Sequence, residues 1–277
     1  MGQYRLRLNL RSFLCGAIVI LVIVMLVTRV GKTMPSSASS NFSISAIEQA
    51  MEQLPPPRAH PLPPTLTHQP SNQAGDYFDQ VQSTLVGALV WSNFPITVYI
   101  QPMEASDQAH AFQQKRARDW YIAVQQAVQE WHPILPLTRV EQPQNADIVI
   151  WRSTPPLRLE KPRTEIGDRR LPIPRARSAE TRYEFYAKPA TTLGQPAKLA
   201  HRMTIYIRPD QAAIYLQAAA RHELGHALGI WGHSPNQTDA LYFSQVRHPA
   251  KVSARDINTL KRVYEQPTRL GWAMLEP

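Results

Sequence analysis

The stretch 218–234, AAARHELGHALGIWGHS, sets two histidines four residues apart with a glutamate directly after the first. On a helix His222 and His226 stand on one face, one turn above the other, so their ring nitrogens can converge on a single ion. Glu223 projects about 100 degrees around the same helix, near that ion without being aimed at it, where a carboxylate can hold and deprotonate a metal-bound water. Apolar Leu216, Ala220, Leu224, Ala227 and Leu228 predict a buried helix that stops near Gly229. A third ligand cannot come from the same face without moving a further turn away, so the chain has to reverse. Gly229 can adopt the backbone such a reversal needs, and His233 follows it. Three imidazoles leave one coordination position for water, the arrangement of a catalytic zinc. A zinc ion so held lowers the pKa of its water to roughly 7. A core helix with two histidines and a salt-bridged glutamate is the plain alternative, and Gly229 and His233 weigh against it. His60, His68, His110, His132, His201 and His248 have no such spacing and read as surface or loop residues.

The elements that must position this helix are legible as hydrophobic periodicities. Residues 91–100 (WSNFPITVYI) alternate branched and aromatic side chains and predict a strand. Residues 107–131 predict a long helix capped by Asp107 or Ser106, with Phe112, Trp120, Val124, Ala127, Val128 and Trp131 as its core stripe. Residues 146–151 (ADIVIW), 182–187 (RYEFYA) and 203–208 (MTIYIR) predict further strands. A strand, a long helix, more strands and then a second helix indicate an α/β layered domain.

Outside those elements the chain changes character. Residues 13–30 form an apolar run flanked by Arg5, Arg7 and Arg11 on one side and by Arg29 and Lys32 on the other. It reads as an uncleaved membrane anchor, with a cleaved signal segment as the alternative. The basic N-terminus, residues 1–12, would stay cytoplasmic and the remainder would cross. Residues 31–75 are rich in Pro and Ser and read as a spacer, and residues 76–277 as the folded domain. Within it, residues 152–180 read as an exposed basic insertion: from 152 to 188 there are ten Lys or Arg against five Asp or Glu, interleaved with prolines.

The 25 prolines among 277 residues agree with one domain plus linker rather than two domains. The single cysteine, Cys15, lies in the apolar run, which excludes an intrachain disulfide and a cysteine-ligated zinc, so any metal must use His, Asp or Glu. The net charge of +9 would suit an anionic partner. The basic residues nevertheless lack the regular element and interleaved aromatics of a nucleic-acid site, and no nucleic acid is expected.

HELGHALG followed by the His233-Ser234 pair resembles the metzincin metallopeptidases, and among them the matrixin-like group. The resemblance spans roughly residues 85–265 and includes WSNFPITVYI, ADIVI and VSARDINTLKRVY. It implies a twisted mixed sheet packed on the long helix and the active-site helix, with a C-terminal helix after the metal site. It implies His222, His226 and His233 as zinc ligands and Glu223 as the base. Two departures stand out. The family's third histidine follows its glycine by three residues, whereas His233 follows Gly229 by four. Asp239 is therefore the competing third ligand. The family also has a methionine in a tight turn beneath the metal, where 239–242 (DALY) offers Leu241, followed by Tyr242. Leu for Met roughly conserves volume and costs under about 1.5 kcal/mol.

These readings add up to an endopeptidase with one catalytic zinc, calcium left open, that takes an extended peptide along an edge strand at residues 182–187. Tethered by the N-terminal segment, its domain would lie outside the cytoplasm, or be secreted if that segment is cleaved. Two other classes share the motif: a membrane-tethered binding protein with a vestigial zinc site, and a zinc hydrolase of non-peptide amides.

Overall fold

A computed structural model describes residues 54–69, 72–105, 107, 110–156, 177–190, 192 and 194–275. The expected anchor at 13–30, Ser106, and most of the basic insertion lie outside the described residues. Among the described residues no helix is long and apolar enough to cross a membrane.

Five strands, β1 (Ile96–Ile100), β2 (Leu137–Val140), β3 (Ile148–Trp151), β4 (Ala179–Lys188) and β5 (Lys198–Ile207), form one sheet in the order β2-β1-β3-β5-β4. All neighbours pair in parallel except β4, which lies antiparallel to β5 at the edge. Among the described residues three helices longer than a single turn accompany the sheet: α1 (Ala111–Trp131), α2 (Ala213–Ala227) and α3 (Ala254–Tyr264). The chain is thus a mixed α/β fold with a mostly parallel sheet, as the alternation of strand and helix patterns predicts.

One face of the sheet carries Ile96, Val98, Ile100, Ile148, Ile150, Met203, Ile205 and Ile207 into the main core with α1 and α2. Among the described residues the other face holds a small cluster around Tyr99, Val149 and Ala146. Helix α1 buries Ala117, Trp120, Ala123, Val124, Ala127 and Trp131, a spacing of three and four that lays one stripe on the sheet and on α2. Each buried indole N–H finds a carbonyl: Trp120 Nε1 donates to Ile207 at 3.2 Å, and Trp131 Nε1 to Arg221 at 2.9 Å. Arg221 and Gln217 of α2 both bond the Glu130 carboxylate of α1, which fixes the rotation of one helix against the other.

Several boundaries move from those the sequence predicts. β1 begins only at Ile96, because Pro95 has no N–H to give a ladder. Helix α1 begins at Ala111, and Asp107 does not cap it. Asp107 instead accepts from the Glu104 N–H at 2.7 Å and pairs with Arg152 at 2.6 Å. Phe112, expected in the core stripe, is 70% exposed in the first turn of α1, one turn before the core-facing positions begin. β4 starts at Ala179, so the expected basic insertion yields its last residues to the sheet, and β5 is longer than the expected 203–208.

The Pro-rich segment is not all spacer. Residues 54–69 lie on the body, with Leu66 fully buried and Leu54 and Leu62 packed on the core. Arg58 exchanges both backbone hydrogen bonds with Thr268, at 2.9 and 3.1 Å. His60 stacks on Trp272 with ring centroids 4.3 Å apart. A single hydrogen-bonded turn at Pro64–Thr67 turns Leu66 into the core, and composition averages hide it. His201, expected at the surface, is 3% exposed on β5, stacked on Trp91 at 3.8 Å.

Candidate metal centre

Helix α2 carries His222, Glu223 and His226 in its last two turns, and its C-terminal carbonyls are closed off by tertiary donors. Trp91 Nε1 donates to the Ala227 carbonyl at 2.9 Å, and the Tyr264 hydroxyl donates to that of Leu228 at 3.1 Å. At Gly229 φ is +131°, a conformation that disfavours a side chain, and an added Cβ would meet the Leu89 carbonyl at 2.9 Å. The chain leaves the helix there, as expected of Gly229, and returns His233 to the two helical histidines.

The ligand-capable atoms of His222, His226 and His233 all lie within 4.8 Å of one another, so the three can hold a metal ion. His222 Nε2 and His226 Nε2 are 3.1 Å apart. Each ring's other nitrogen faces a backbone carbonyl: His222 Nδ1 with Ala240 at 2.9 Å, and His226 Nδ1 with Ile230 at 2.7 Å. A carbonyl only accepts, so each Nδ1 carries the proton and each Nε2 of a neutral ring presents a lone pair. Two lone pairs facing each other repel unless a cation lies between them. Two nitrogens about 2.1 Å from one tetrahedral ion would sit ~3.4 Å apart, close to the observed separation. His233 is the exposed member of the trio, its ring centroid 5.2 Å from that of His222 and 4.8 Å from that of His226. It is the ring that has to close in on an ion.

Burial holds His226 well below the usual histidine range, and the neighbouring His222 and His233 push the same way. His233, only partly enclosed, is lowered to about 4, first by that partial burial and then by His222 and Arg177. Both are neutral, metal-competent imidazoles at neutral pH. An all-imidazole donor set of three suits a transition metal such as zinc, copper, iron or nickel.

Glu223 is 8% exposed. Burial pushes its carboxyl group up, against the pull of His222 and of a hydrogen bond from Thr181. The Thr181 hydroxyl, on β4, lies 2.6 Å from Glu223 Oε2 and 3.0 Å from the Glu223 carbonyl oxygen. The sequence offers no local signal for Thr181, whose place depends on β4 crossing α2.

Asp239 does not reach the histidines. It is 2% exposed, and its oxygens accept from Ser234 Oγ at 2.5 Å, Ser253 Oγ at 2.7 Å and Arg255 Nε at 3.0 Å. Its work is to hold the 234–242 loop. Leu241 is fully buried beneath α2, so close that a Cβ on Gly225 would come within 2.5 Å of Leu241 Cδ2. Leu241 therefore fills the space under the helix, and the preceding residue, Ala240, presents its carbonyl to His222. This turn is anchored from α3: Asp256 Oδ2 accepts from the Ala240 N–H at 2.9 Å, and Tyr77 donates to Asp256 Oδ1 at 2.5 Å. Asp256 also closes the α3 capping box with Ser253. That S-x-x-D spacing was available in the sequence, whereas its reach to the metal side was not. Tyr242 lines a pocket of about 180 Å³ with Tyr215, Ala219, His222, Glu223 and Phe243.

The fold and site define a mixed α/β domain with a three-histidine centre beside a buried glutamate. No family model matches the chain, and no curated protein matches it.

Proposed function

We propose that this chain is a zinc-dependent endopeptidase in which His222, His226 and His233 hold the metal and Glu223 serves as general base. The observation that carries the reading is the facing pair of His222 and His226 Nε2 atoms, 3.1 Å apart, with Glu223 next to them on the helix. The mixed sheet with one antiparallel edge strand beside that helix supports the resemblance to metzincins, matrixin-like in its motif.

Zinc, when bound, supplies Lewis acidity toward the scissile carbonyl and toward water. Glu223 takes the proton of the attacking water and passes it to the departing amine, a task for one carboxylate at hydrogen-bond reach. Among the described residues β4 is the sheet edge on the α2 side, and an extended peptide can add alongside it. Along β4 the residues 179, 181, 183 and 185 share the face toward α2. Ala179 borders the pocket, Thr181 meets Glu223, and Tyr183 packs against Trp231 at 5.0 Å. A peptide on this edge would drop one side chain into the pocket, whose tyrosines, Phe243 and alanines favour an apolar group. The N-terminal apolar run would tether the domain on the far side of a membrane.

The test is cleavage of a denatured protein by the zinc-loaded full chain, with Glu223→Ala beside it. Cleavage by the parent and none by the variant, at equal zinc content, is the expected result. Equal rates would overturn the assignment of Glu223, and a zinc-loaded parent that cuts no peptide would overturn the peptidase reading.

A further inference from the structure

We infer that Thr181 is a positioning residue that fixes the Glu223 carboxylate for proton transfer; this rests on the peptidase reading above. A glutamate side chain has several rotatable bonds, and on the flank of a helix nothing intrinsic selects one direction for its carboxylate. Here the selection comes from the neighbouring strand β4. Thr181 Oγ1 lies 2.6 Å from Glu223 Oε2 and 3.0 Å from the Glu223 carbonyl oxygen, and its single proton goes to the nearer, charged acceptor. Both residues are buried, at 6% and 8% exposure, so water does not compete well for the bond.

The direction of the bond follows from the chemistry of the partners: an ionised carboxylate only accepts, so the hydroxyl donates. Thr181 stands opposite Ile205 in the antiparallel register of β4 on β5, which fixes its backbone from the sheet side. Its β-branched side chain has few rotamers, so the hydroxyl position is inherited from the strand. One carboxylate oxygen is thereby occupied and oriented, leaving Oε1 to take up and release the proton. A base held in this way avoids the misplacement of about 1 Å that can cost ~100-fold in rate. The same strand also forms the edge on which a peptide would lie, so substrate and base are placed by one element.

The experiment compares zinc-loaded parent, Thr181→Val and Thr181→Ser by zinc content, by kcat and KM on one peptide, and by crystal structure. Valine keeps the volume and the branching but cannot donate. The expected result is full zinc in all three, kcat lowered about 10- to 100-fold in the Val variant with KM unchanged, and kcat restored to within about threefold by Ser. Val should also leave the Glu223 carboxylate displaced or in several orientations, with parent and Ser superposing. Unchanged kcat in the Val variant overturns the inference, as does a Glu223 carboxylate that stays in the parent position there. If the parent itself cuts nothing, the peptidase reading fails, and the crystallographic comparison still decides whether Thr181 sets the carboxylate.

Discussion

His222 and His226 turn their Nε2 atoms toward each other at 3.1 Å while Ala240 and Ile230 hold the opposite nitrogens by their carbonyls. Those two carbonyls belong to different segments, one in the turn above Asp256 and one just past Gly229. The site is therefore as rigid as the loops that supply them, and several consequences can be measured.

Gly225 and Leu241 are coupled by contact. A Cβ at 225 would meet Leu241 Cδ2, Cδ1 and Cγ at 2.5, 3.1 and 3.2 Å, so the whole buried side chain would have to move. In the parent, Gly225→Ala should destabilise by about 1–2 kcal/mol, overpacking outweighing the gain of up to ~1 kcal/mol in helix propensity. With Leu241→Ala already present, the same change should stabilise. Urea melts of the four-member cycle check the reversal of sign.

Held by Ser234, Ser253 and Arg255, Asp239 should act as a structural anchor and not as a ligand. Asp239→Asn should cost about 1.5–3 kcal/mol by weakening charged hydrogen bonds to Ser234, Ser253 and Arg255. Its zinc stoichiometry should equal that of the parent. Metal analysis of the refolded variant separates the two roles.

His201 predicts acid sensitivity. Burial against Trp91 pushes it down to about 3, and its Nε2 has no hydrogen-bond partner among the described residues. The unfolded chain, with a histidine pKa near ~6.5, binds this proton well before the folded one does, so stability falls as pH drops from about 6.5 toward 3 and is unaffected by this group above that window. The slope is about 1.4 kcal/mol per pH unit. Between pH 7 and pH 5 the parent should lose roughly 2 kcal/mol more than His201→Phe, in denaturant melts at each pH.

Leu66 tests whether the Pro-rich segment belongs to the domain. The side chain is fully buried, in a single helical turn at Pro64–Thr67. Leu66→Ala should cost about 2–5 kcal/mol, the range for an enclosed leucine. A change within about 0.5 kcal/mol would mean the segment is only a tether.

The reach of the sequence differs from element to element. The histidine helix was legible because His222, Glu223 and His226 sit within two turns and its stop sits at Gly229, all local in the chain. β4 as a strand and the long α1 were legible from periodicity. β2, four residues between proline-containing turns, is too short to show a period. Thr181, Trp91 and the buried state of His201 depend on which strand crosses which helix, and Leu66 was masked by the prolines around it. What favours His233 over Asp239 also needed the fold, since the hydrogen bonds of Asp239 to Ser234, Ser253 and Arg255 cannot be read along the chain.

The most direct test is a zinc titration against a competing chelator on the full chain, its His222→Ala, His226→Ala and His233→Ala variants, and Asp239→Asn. One zinc per chain is expected in the parent and in Asp239→Asn. Binding should vanish without His222 or His226, and should weaken in His233→Ala by more than the ~10- to 100-fold that loss of an outer partner costs. A parent that binds no zinc, or a His233→Ala variant that binds it as tightly as the parent, would contradict the three-histidine centre.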